Sequence, residues 1–155
     1  MNESMRVLKA DIGAARQAIE QIYAALARYE GVAWNAEQTI VVAYHLHNLY
    51  GAFEDVFQRI AETFENQISD RAQGHAQLLR RMTLEIEGVR PRVLSSEAFD
   101  CLDELRRFRH VFRSAYAVSL DPRRLTLVWE KARRLSAPYR DDFDRFVAYL
   151  DQLEQ

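Results

Sequence analysis

The segment Arg106–Tyr116 (RRFRHVFRSAY) gathers four arginines, one histidine and a closing tyrosine, the residue types that handle phosphate chemistry. Ala98, Leu102, Leu105, position 109, Phe112 and Tyr116 fall on one helical stripe at four–three spacing. Position 109 should therefore be apolar, yet it is arginine. A guanidinium drawn out of water needs compensation from a carboxylate, backbone carbonyls or a bound phosphate. Such a conflict between pattern and chemistry tends to mark a working site. The structural alternative is a salt bridge from Arg109 to a core-edge acid, with Glu54 the candidate. Tyr116 lies two turns beyond Arg109 on the same face, so phenol and guanidinium can line one groove. Arg106, His110 and Arg113 form the adjacent face with Arg107 beside them, and Arg123 and Arg124 follow across the next turn. Clustered arginines near aromatics suit phosphate contact and base stacking, and the plain alternative is a solvated basic face.

Charge along the chain agrees with a localised anion-binding face. The net charge is −2, but Arg90–Arg140 holds twelve basic and six acidic residues, so that stretch is +6 and the remainder −8. Nucleic acid or an acidic protein partner would both suit it. A hydrophobic fraction of 48% over 155 residues predicts one globular domain spanning 1–155, large enough for a core without disulfides or metal. The single cysteine, Cys101, excludes an internal disulfide and fits a reducing compartment. No stretch approaches the ~20 apolar residues that a membrane span needs, and the charged first thirty residues lack a secretory signal. A cytoplasmic location without membrane contact is expected.

The elements that must position the arginines read as helices throughout. Leu8, Ile12, Ala15, Ile19, Ile22, Leu26 and Tyr29 mark a first helix from about Ser4 to Tyr29, stopped at Gly31. Asn35 and Gln38 form a capping pattern ahead of a second helix reaching about Glu65, with Leu46, Tyr50, Phe53, Phe57, Ile60 and Phe64 as its core face. His45 and His47, two apart, point to different faces and cannot clasp zinc as an i, i+4 pair. No metal and no cofactor are expected. Asn66–Gly74 is a polar connection, and a third helix with Leu78, Leu79, Met82 and Ile86 is predicted to end at Gly88. The run Val89–Leu94 should be extended around Pro91. Ser95 or Ser96 then caps a fourth helix reaching about Ala117, and Asp121-Pro122 opens a fifth that Pro138 should kink or split. The fold class is all-α, an antiparallel bundle of about five helices.

The segment Phe108–Tyr116 (FRHVFRSAY), followed by Leu120-Asp-Pro, resembles the HepT-like branch of the HEPN superfamily. The resemblance extends through Leu46–Glu54 (LHNLYGAFE), His75–Met82 (HAQLLRRM) and Gly88–Pro91 (GVRP), in the expected order over most of the chain. It implies a HEPN-like helical fold and a metal-independent ribonuclease toxin working in the cleft of a homodimer. There, motif arginines and histidines promote attack of the RNA 2′-hydroxyl on the adjacent phosphate. It also implies an MNT-type nucleotidyltransferase antitoxin that silences the toxin by transferring AMP to the motif tyrosine. Arg109 matches the motif arginine, His110 the polar residue after it and Tyr116 the tyrosine, so Ser114 stands where the family has histidine.

Serine has no group that titrates near neutrality, although it can hydrogen-bond phosphate. Three alternatives stand. His110 supplies the proton from the adjacent face; the chain is a weak or silent nuclease that still docks RNA or a nucleotidyltransferase; or the serine is an introduced change that tames a toxin. The expected catalytic set is Arg109, His110 and Ser114, with Tyr116 as the modified residue. Arg106, Arg107, Arg113, Arg123 and Arg124 would hold RNA, and Glu54 would support Arg109.

Overall fold

The computed structural model describes residues 3–65, 74–114 and 120–154. Its helices are α1 (Glu3–Ala27), α2 (Ala36–Glu65), α3 (His75–Arg81), α4 (Ser96–Ser114) and α5 (Pro122–Leu153). The helix starts follow local chemistry. Asn35 and Gln38 exchange side-chain-to-backbone hydrogen bonds of 2.8 and 2.9 Å, which satisfies two orphan amides ahead of α2. The Ser95 hydroxyl accepts from the Ala98 amide at the start of α4, and the Asp121 carboxylate accepts from the Arg123 amide with Pro122 in the first turn of α5. Gly31 turns the chain after α1 at φ 72°, a conformation that side chains disfavour.

Two expectations need correction. The third helix stops at Arg81 instead of running to Gly88. The amides of Met82, Thr83 and Leu84 bond three residues back, and the Thr83 hydroxyl bonds the Arg80 carbonyl, so the helix winds down early. A bridge between Ile86 and Arg90 then closes a tight turn with Gly88 at φ 77°, and Met82 O accepts from the amides of both Val93 and Leu94. The fifth helix runs unbroken across Pro138. An interior proline costs about 3 kcal/mol, but Leu135 and Tyr139 on either side of it are fully buried, and their packing holds both halves in one rod. The proposed end of α4 near Ala117 and most of the Asn66–Gly74 connection lie outside the described residues.

Contacts fix an antiparallel arrangement. Along α1 and α5, Lys9 meets Asp151, Arg16 meets Asp144, Glu20 meets Arg140 and the Tyr23 hydroxyl donates to Ala132 O, so one helix ascends as the other descends. Asp11 pairs with Arg59 near the far end of α2. The core is aromatic at its centre, where Phe53 meets Tyr139 edge-on at 5.0 Å and Phe143 at 5.8 Å. The α2 stripe from Leu46 to Ile60 is buried as its spacing predicts, while Phe64 is half-buried. Buried Asp142 accepts from the Ser95 amide, the Ser95 hydroxyl and Arg145, which pins the start of α4 to α5. No described helix is long and apolar enough to cross a membrane.

Candidate active site

On α4, Ala98, Leu102 and Leu105 are buried in the register the sequence gives them, and Arg109 follows on the same face, half-buried against α2. Its Nη1 donates a long 3.4 Å bond to the backbone carbonyl of His47. Its Nε is buried with no hydrogen-bond partner among the described residues. What admits the guanidinium is Gly51, in the middle of α2. A Cβ at that position would collide with Nη1 and stand 3.4 Å from Cζ of Arg109. The His47 carbonyl is the one that the residue-51 amide meets in the helical ladder, so glycine there leaves it approachable. Glycine inside a helix costs roughly 1 kcal/mol relative to alanine, and here that cost opens a seat for a cation.

The acid proposed as Arg109's partner is occupied elsewhere. Glu54 Oε2 lies 2.7 Å from Nδ1 of His75, the first residue of α3, one turn further along α2. Arg109 therefore sits in the seam without a carboxylate among the described residues. Arg106 is held by Asp103 through Nε at 3.0 Å and Nη2 at 2.8 Å, and Arg107 reaches Asp103 at 3.0 Å and Glu104 at 3.6 Å. These local pairs temper the charge of both arginines. His110 and Arg113 are exposed. Arg123 and Arg124 are exposed in the first turn of α5, which contains no acid. Cations there oppose the helix dipole, a placement that folding alone does not favour. Ser114 closes α4; its side chain and residues 115–119, Tyr116 among them, lie outside the described residues.

Sequence reasoning missed three contributors from α2: His47, Tyr50 and Gly51. His47 packs its ring on Phe112 at 5.1 Å. Burial is the main reason its pKa falls below the ordinary histidine value, and the nearby Arg109 and Arg113 charges push it down further. The imidazole is thus held neutral near pH 7. Tyr50 is buried, its hydroxyl has no hydrogen-bond partner among the described residues, and burial together with the Glu54 charge raises its pKa, so it stays a donor. The available signal was the spacing 47, 50, 51, 54 on one helical face, but nothing in the sequence says which helix that face meets. Among the described residues, no group of His, Cys, Asp and Glu could hold a metal ion.

Fold and site together define an all-helical domain built around an arginine–imidazole–phenol seam. The sequence matches the family of HepT-like proteins over residues 41–150, and the chain belongs to that family. The matched span takes in α2 from Val41, the whole seam and α5 to Leu150, and leaves α1 outside. Comparison with curated proteins and with solved structures finds no match.

Proposed function

We propose that the chain is a HEPN-type ribonuclease toxin that cleaves RNA without metal at the α2–α4 seam. The observation that carries this reading is Arg109: a permanent cation on a core-facing stripe, lodged against a helix by a glycine, with one N–H unpaired among the described residues. A site of this kind offers a preorganised donor to the charge that develops on a phosphodiester during attack. Arg106, Arg107, Arg113, Arg123 and Arg124 would track the RNA backbone, whose phosphates dominate affinity.

The reading includes a homodimer. Ile40 and Tyr44 (57% and 56% exposed) lie one turn apart on α2, in line with His47 and Gly51 by helical spacing, with Val41 beside them. This apolar strip flanks the seam, so a second copy seated on it would bring two seams into one cleft. The partner implied by the family is an MNT-type nucleotidyltransferase acting in the cytoplasm. AMP placed on Tyr116 would add anionic phosphate that competes with RNA for the arginines.

Cleavage of a mixed-sequence RNA tests the reading directly. The unaltered chain should cut, and Arg109→Ala should lose about 10²–10³ of the rate, as expected for removal of one transition-state donor. Ser114 favours a second reading, a silent module that docks RNA or the nucleotidyltransferase. Tight RNA binding with no cutting, either by the unaltered chain or by Ser114→His, would establish that reading instead.

A further inference from the structure

Buried polar side chains elsewhere among the described residues are satisfied. The Tyr23 hydroxyl donates to a backbone carbonyl, that of Tyr139 to Glu20, and Asp142 is saturated by Ser95 and Arg145. The buried side-chain atoms without a partner among the described residues are His47 Nδ1, Tyr50 Oη and Arg109 Nε. All three lie in the α2–α4 seam, His47 and Tyr50 one turn apart and Arg109 opposite. Leaving such a group unpaired is costly, so collecting three in one place is unexpected for a seam that only packs. Their chemistry is complementary. Arg109 Nε–H and the Tyr50 hydroxyl are donors, and the His47 ring can accept a proton or give one.

We propose that His47 is the proton-transferring residue of this site, filling from α2 the role that serine at position 114 cannot fill, while the half-buried Arg109 guanidinium donates to the phosphodiester oxygens. The proposal rests on the ribonuclease reading above. In the step it performs, the RNA 2′-oxygen bonds to phosphorus as its proton passes to the His47 imidazole. The bond from phosphorus to the 5′-oxygen breaks, and its electron pair stays on that oxygen, which takes a proton from water. The imidazolium returns its proton to the hydroxide so formed. The products are a 2′,3′-cyclic phosphate and a free 5′-hydroxyl, and the enzyme is unchanged.

The surroundings suit a base. Arg109 and Arg113 face the ring from α4, Phe112 packs on it, and on its own helix Glu54 lies beyond Tyr50. Neighbouring cations and burial both favour the neutral ring, ready to accept a proton near pH 7.

The test measures initial cleavage rates against pH on a short RNA for the unaltered chain, His47→Gln, His110→Gln, Arg109→Ala and Ser114→His. His47→Gln should lose about 10²–10⁴ in rate, with KM little changed and the acid-side limb of the pH profile gone. A full rate in His47→Gln, with cutting still abolished in Arg109→Ala, overturns the role of His47 and leaves the ribonuclease reading standing. Cutting by Ser114→His but not by the unaltered chain also overturns it, because the native imidazole then does not serve. Cutting by neither refutes the ribonuclease reading, and this proposal with it. Should His47→Gln lose its helicity, Arg113→Gln carries the test. Removing that cation should move the acid-side limb to higher pH, and an unmoved limb overturns the proposal.

Discussion

Arg90 and Arg109 are both sunk into this fold, and their surroundings are opposite. The Arg90 side chain is 0% exposed, and its donors are taken by Glu65 Oε2 and by the carbonyls of Leu84, Arg81 and Pro91. Glu65 also holds Arg81, so a single carboxylate ties the end of α2 to α3 and to the turn behind it. Among the described residues, Arg109 has one long bond to a carbonyl and a buried Nε with no partner. The same side chain serves as a fastener where its network is complete and as a receptor where it is left open. Burial of charge alone does not tell these apart; the state of its hydrogen bonds does.

Exchanging each arginine for methionine should separate them most widely. Arg90→Met leaves Glu65 with a lost partner and several carbonyls bare, and should cost about 3–5 kcal/mol, the range for breaking a buried pair. Arg109→Met removes an imperfectly satisfied cation and keeps the apolar stem, so its stability should stay within about 1 kcal/mol of the unaltered chain or rise. Urea denaturation of both variants reads the difference. Equal losses would end the distinction.

A smaller effect concerns Gly51. Alanine there gains roughly 1 kcal/mol of helix propensity but pushes the guanidinium off its seat. Gly51→Ala should lower RNA cleavage while changing stability little. Gly51→Ala combined with Arg109→Met should show the propensity gain in full, and thermal melts around this double-mutant cycle would measure the coupling. Strict additivity would mean that the glycine does not seat the arginine.

The smallest effect is on pH dependence. The folded state holds His47 below its ordinary value of 6.5, so between those two values the unfolded chain binds more protons. Stability from this group is therefore complete above about pH 6.5 and falls as pH drops toward the folded-state value. Glu20, whose pKa is lowered mainly by its hydrogen bond to Arg140, adds stability that is present above its ordinary 4.5 and lost further into acid. Denaturation midpoints at a series of pH values should show the His47 slope flattened in His47→Gln, with the Glu20 loss unchanged.

The contrast also explains what the sequence disclosed. The five helices, their caps and the odd placement of Arg109 follow from periodicity and capping chemistry, which act within one helix. The partners of Arg109 do not, because they depend on which faces of two helices meet. Glu54 was a reasonable guess by charge, yet α3 claims it through His75. His47 was weighed only against its neighbour His45 as a metal ligand, and its position opposite Arg109 becomes visible once α2 and α4 are packed. Arg90 gave no periodic signal because it lies in a turn, outside any stripe.

The Nε–H resonance of Arg109 gives the most direct test of the seam as a phosphodiester site. A short RNA with 2′-deoxy sugars, which cannot be cut, would be titrated into the ¹⁵N-labelled protein. The Arg109 Nε–H signal should shift strongly with added RNA, and the shift of the His47 ring signals should vanish in Arg109→Met. RNA that binds while both sets of signals stay fixed would place its phosphates elsewhere and contradict the assignment of the seam.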